Sequence, residues 1–172
     1  MFGRALAFTI QALTTAFPLW LCWLAGRLCW LKLRRQKIIS LREFWLTAFV
    51  GYLLCLLAIT IWRYGIGTSA QRIVNLLPIV ALIGLPALDL FYNIVGNIVW
   101  FVPFGLLLPL AFPQHRAFQR AVFWGAGCSA LIELSQYLLA TGIADLDDLL
   151  FNTIGAALGW CAYKLLFGLR LK

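Results

Sequence analysis

Residues 121–155 read AVFWGAGCSALIELSQYLLATGIADLDDLLFNTIG. Two apolar runs flank a short acidic turn, and polar residues interrupt each run. In the first run Ser129, Glu133 and Gln136 fall at i, i+4 and i+7, the spacing of one helical face. After the turn, Asp145, Asp147 and Asp148 precede a segment in which Asn152, Gly155 and Gly159 share a face. A carboxylate inside a membrane helix costs roughly 3 kcal/mol or more. Glu133 therefore marks a candidate functional position.

The rest of the chain sets the fold class. Of 172 residues, 63% are hydrophobic and 12% charged, against about 45–50% and about 25% in soluble domains. Mean hydropathy is +0.92. With spans of about 20 residues, the chain holds about five or six helices and no separate soluble domain. The expected fold is all-α, a polytopic integral membrane helix bundle. It has about five transmembrane helices plus one re-entrant or interfacial segment. Expected spans lie at about 5–30, 44–62, 93–112, 121–140 and 149–167. The first is read as uncleaved, because its basic cluster follows the apolar stretch. Arg27, near the end of that span, is expected to snorkel to the interface.

A net charge of +8 suggests nucleic acid, but the basic residues gather at helix ends and in short loops, as membrane topology predicts. Lys32, Arg34, Arg35, Lys37 and Arg42 between spans one and two face one acid, Glu43. That loop is expected in the cytoplasm and the N-terminus outside. His115, Arg116, Arg120 and the basic C-terminus then fall inside, and the loop with Asp145, Asp147 and Asp148 outside. The location read from this is the plasma (inner) membrane, multi-pass, with a cytoplasmic C-terminus. Residues 73–92 are long and apolar enough to cross. Pro78, Gly84, Pro86 and Asp89 interrupt them, however, and a crossing would invert every later loop. They are expected to be re-entrant or surface-lying on the outer side. Trp30, Trp45 and Trp124 are expected at the inner interface, and Trp62, Tyr64 and Tyr92 at the outer. Residues 1–72 thus form two N-terminal spans with a basic cytoplasmic loop, and 73–172 a membrane domain with an outer-side polar layer.

Depth estimates at 1.5 Å per residue put Glu133 about 10 Å, and Gln136, Asn97 and Asn152 about 6 Å, from the outer helix ends. Asn93 and Asn97 share a face of span three. The candidate ligand-binding set is Asn93, Asn97, Glu133, Gln136, Asp145, Asp147, Asp148 and Asn152, with Glu133 the candidate catalytic residue. Asparagine and glutamine also bridge helices without further role, and Asp147 or Asp148 can cap the last span. Trp100 and Tyr137 read as packing residues. The single histidine, His115, lies at the opposite end from the acids, which argues against a Ser/His/Asp triad. The five cysteines lie in apolar segments without CxxC spacing and read as packing residues. No zinc, P-loop or nucleophile-elbow motif occurs, and no cofactor or metal is expected.

Four pieces in order resemble the VanZ-like family of membrane proteins. They are Asn75-Leu76-Leu77-Pro78; Asn93-x-x-x-Asn97 followed by Phe101-x-Pro103-x-Gly105; Glu133-x-x-Gln136; and Asp145-x-Asp147-Asp148-x-x-x-Asn152-Thr153-x-Gly155 with Gly159. The resemblance covers about residues 73–167. It implies a polytopic membrane protein associated with glycopeptide resistance, notably to teicoplanin. Gly142 stands where the family pattern carries an arginine at the start of the acidic loop.

These observations rank four functions. The first is binding or remodelling of an outer-leaflet lipid or a lipid-linked cell-envelope precursor. The second is an intramembrane enzyme acting on such a lipid, with Glu133 as general acid or base. The third is a transporter carrying a proton on Glu133, and the fourth a structural partner of other membrane proteins. Nucleic acid is not among the expected partners.

Overall fold

Without water to satisfy its backbone, a chain this apolar bonds N–H to C=O within each segment, and helices do so. The computed structural model describes residues 2–37, 40–61, 73–77 and 83–168, without the side chains of residues 2–9, 11 and 12. Five long helices are present among them: α1 (Phe2–Leu33), α2 (Leu41–Thr60), α3 (Ala87–Ala111), α4 (Phe118–Leu139) and α5 (Leu146–Phe167). Three of these, α2, α3 and α5, are long and apolar enough to cross a membrane. In α4 the residues Glu133, Ser135 and Gln136 dilute an otherwise apolar run.

Side-chain contacts give the direction of each helix. Trp20 Nε1 donates to the Thr47 carbonyl at 3.0 Å and the later Arg27 bonds to the earlier Glu43, so α1 and α2 are antiparallel. The rings of Phe49 and Phe104 meet edge to face at 5.5 Å, as do those of Phe49 and Phe112 at 5.7 Å, across α2 and the α3 end. Trp160 Nε1 reaches the Arg116 carbonyl at 2.9 Å, where α4 begins and α5 nears its end. The helices therefore alternate in direction along the chain. The α1–α2 connector, the short 3₁₀ turn Pro113–His115 and the end of α5 share one end of the bundle. That end holds Lys32, Arg34, Arg35, Arg116, Arg120 and Lys164. The opposite end holds Asp89, Asp145, Asp147 and Asp148.

Both the core and the outer surface are apolar, unlike a soluble protein. Phe49, Leu56, Phe101, Phe104, Leu108, Ala121, Ile132 and Ala156 form the core. Phe17, Leu33, Phe123, Leu131, Leu165 and many other large apolar side chains face outward. Such a surface is stable in lipid and aggregates in water.

Arg27, expected to snorkel to the interface, is paired with Glu43 at the basic end of the bundle. Its Nε and Nη2 donate to Glu43 at 2.9 and 2.8 Å, and its guanidinium lies 4.6 Å from the Trp30 ring centre. A bidentate pair fixes the guanidinium between the two helices near the basic end.

The segment expected to be re-entrant divides in two. Val74–Asn75 forms a short strand, β1, paired in parallel with β2 (Ala144–Asp145) in the α4–α5 connection. α3 then starts at Ala87 after Pro86, earlier than the expected Asn93, because Pro86 has a fixed φ suited to a helix entry. Residues 78–82 lie outside the described residues, as do Trp62 and Tyr64. Asn75 and the first turns of α3 both lie at the acidic end.

The tightest contact in the bundle joins α3 and α5, which run parallel. A side chain at Gly155 would strike the Ile98 carbonyl, and one at Gly159 the Val102 carbonyl. Gly127 of α4 has nothing near it. Gly159→Ala is therefore expected to lower unfolding stability in detergent by about 1–3 kcal/mol through overpacking. Gly127→Ala, in a chain otherwise the same, is expected to leave it unchanged. Equal melting behaviour of the two variants would disprove the close-approach account.

Candidate functional site

α4 ends with Ala140 in the left-handed region (φ 51°). The Thr141 N–H bonds back to the Gln136 carbonyl at 3.0 Å and the Ala140 N–H to the Tyr137 carbonyl at 3.3 Å. This double bond pattern closes a helix end and reverses the chain. The next residues fold back over α4, and the Asp145 N–H donates to Glu133 Oε2 at 2.8 Å. Glu133 is only 9% exposed, so the bond relieves a carboxyl largely removed from water.

Asp145 is the hub of this corner. Its Oδ1 accepts the Asp147 N–H at 2.9 Å and so caps α5. The sequence points to Asp147 or Asp148 as the cap; Asp145 takes the position because it has the extended backbone that a cap residue needs. The Asn75 amide donates to both Asp145 oxygens, at 3.1 and 3.2 Å. Asp147 and Asp148 occupy the first turn of α5, where the helix end favours negative charge.

The remaining polar residues join the helices. Asn97 on α3 donates to Asp148 Oδ1 on α5. Asn152 on α5 donates to Ser129 Oγ on α4 at 2.9 Å. Gln136 on α4 donates to the Thr60 carbonyl at the end of α2, at 2.9 Å. Four helices thus surround a cavity of about 310 Å³.

Asn93, Asn97, Glu133, Gln136, Asp148 and Asn152 all line this cavity. They are six of the eight candidate ligand-binding residues. Asp145 lines a neighbouring cleft of about 190 Å³ with Val74, Asn75 and Leu149, and Glu133 borders that cleft too. Asp147 is 2% exposed and is not part of the cavity wall. Ser129 is fully buried behind Asn152.

Several wall residues escape sequence reasoning. Thr60 contributes a backbone carbonyl, which no side-chain pattern announces. Tyr92 and Trp100 line the cavity, although the sequence pattern suggests only packing for Trp100. Asn75 supports Asp145; its signal is a polar residue at the start of an apolar segment. His115 lies at the far end, bonded by Trp124 Nε1 at 3.2 Å.

Among the described residues no group of three or more histidine, cysteine or acidic side chains is arranged to hold a metal. The five cysteines are free thiols. Chemically the cavity offers carboxyl acceptors from Glu133 and Asp148. It also offers amides that donate and accept, beside aromatic surface.

The chain matches the sequence profile of the VanZ/LLP1 family over residues 49–167. The match takes in every residue of the cavity wall. The chain is similar to protein VanZ of Enterococcus faecium, at 33% identity over 95 residues, which is 55% of each chain. It spans about half the length of that curated relative. No solved structure matches. With well over half of its length inside the family profile, and the polar cavity inside the matched region, the chain belongs to the VanZ/LLP1 family.

Proposed function

We propose that this membrane protein binds or remodels an outer-leaflet lipid, or a lipid-linked component of the cell envelope, through the polar cavity. The observation that carries the reading is the convergence of six polar side chains from α3, α4 and α5 on one cavity among apolar helices. Polar groups facing such a space are expensive in a bilayer and mark functional pathways or sites. Ligand sites typically combine a concave apolar frame with a few polar groups that fix orientation. The cavity is at the low end of ligand-pocket volumes of about 300–1,000 Å³, which suits a head group with its tail left in the bilayer. Kinship with VanZ extends the proposal to glycopeptide susceptibility, teicoplanin above all. A ligand withheld from or altered for the drug would lower sensitivity.

The reading needs the acidic end to face outward in the plasma membrane, with the C-terminus in the cytoplasm. The basic residues at the other end support this orientation. In a chain freed of its native cysteines, Ile143→Cys is expected to react with an impermeant thiol reagent in intact cells. Gln36→Cys is expected to react only after permeabilisation. The reverse pattern would remove the outer leaflet from the proposal.

A complementation assay tests the role of Glu133. At matched membrane levels, Glu133→Gln is expected to keep much of the wild-type envelope-drug tolerance, because it retains an acceptor for the Asp145 N–H. Glu133→Ala leaves that N–H unpaired, at about 1–3 kcal/mol, and is expected to lose tolerance. Loss in both variants would replace binding by proton chemistry at Glu133. Full tolerance in both would remove Glu133 from the function.

A further inference from the structure

We propose that the polar cavity selects a primary ammonium head group and rejects a bare phosphate; the inference rests on the head-group reading above and narrows it to a chemical class. The chain has six acidic residues. Glu43 is paired with Arg27. The carboxyls around the cavity are held by neutral donors instead. Glu133 takes a backbone N–H, Asp148 an amide of Asn97, and Asp145 an amide of Asn75. Among the described residues the wall carries no lysine, arginine or histidine.

Neutral donors anchor a carboxyl group without supplying a positive charge. Each carboxylate also has about four acceptor positions, and the bonds at Glu133 and Asp148 occupy one each. A phosphate entering here would meet the acceptor oxygens of Glu133 and Asp148, with no cation in the described wall to offset its charge. An ammonium meets the opposite situation. Its three N–H donors suit Glu133 on α4, Asp148 on α5 and an amide oxygen from α3. Trp100 and Tyr92 in the same wall add aromatic faces, which attract cations. A quaternary ammonium would retain the charge attraction and lose the three hydrogen bonds.

The test uses the full chain in a nonionic detergent. It is mixed with equal amounts of phosphatidylethanolamine, phosphatidylcholine and phosphatidylglycerol of identical acyl chains, and native mass spectrometry reads the retained lipid. The wild type is expected to retain phosphatidylethanolamine about tenfold over either competitor, the ratio of one modest charge-assisted contact. Glu133→Gln alone is expected to weaken that preference, and Glu133→Gln with Asp148→Asn to abolish it, while the thermal transition persists. Gly96 lines the cavity and has open space where a side chain would go. Gly96→Leu is therefore expected to fill the cavity and remove the retained lipid without disturbing helix packing. If phosphatidylglycerol or phosphatidylcholine is retained as well as phosphatidylethanolamine, and Gly96→Leu still displaces it, the ammonium inference is overturned and the head-group reading stands. Survival of the preference in the carboxyl variants would overturn the ammonium inference in the same way. If retention of every lipid is indifferent to Gly96→Leu, the head-group reading falls as well.

Discussion

The parallel contact between α3 and α5 sets the register on which the polar site depends. In lipid, helices gain little from hiding apolar surface from one another, so close backbone approach carries much of the association. Gly155 and Gly159 let α5 lie against the carbonyls of Ile98 and Val102. That alignment puts Asn97 beside the first turn of α5, where it meets Asp148. A slip of one helical turn would move the partners about 5.4 Å apart. The cavity follows from the same register, because Asn93 and Asn97 can face Glu133 only if α3 and α5 keep this alignment.

Around that frame the polar groups satisfy one another in a linked set. Asp145 holds Glu133 through its backbone, caps α5 through its side chain and receives Asn75. Groups coupled in this way are worth more together than singly. The turn that delivers Asp145 puts Ala140 in a left-handed conformation, which disfavours any residue with a side chain by roughly 1–2 kcal/mol. The bonds made beyond the turn offset that local strain.

Much of the arrangement is readable from residue patterns. Hydropathy and span length give the helices. The i, i+4, i+7 spacing of Ser129, Glu133 and Gln136 gives their common face, and the alternation of basic and acidic loops gives the relative placement of the ends. What is not readable has physical reasons. The pairing of Val74–Asn75 with Ala144–Asp145 involves two residues on each side, too few to leave a periodic trace. The start of α3 at Ala87 is hidden because Pro86 and Asp89 suit a broken segment as well as a helix entry. The pairing of Arg27 with Glu43 depends on how α1 and α2 fold against each other, which charge counting does not reveal. Asp147 looks equivalent to its two neighbours in sequence, yet the helical turn directs it inward, away from the cavity.

The bond between Asn75 and Asp145 spans 70 residues of chain, and this bears on biosynthesis. A ribosome delivers the protein from the N-terminus, so α1 and α2, which are neighbours in sequence, can pair as soon as both emerge. Asn75 and Asn97 then enter the membrane environment long before their partners exist, and Glu133 follows without the N–H of Asp145. Until α5 is made, these groups must be sheltered by water, by lipid head groups or by the insertion machinery. The site therefore comes into being only once α5 has been made. A chain cut short before Asp145 would present a bare carboxyl and two idle amides to the bilayer, a form suited to recognition by membrane quality control.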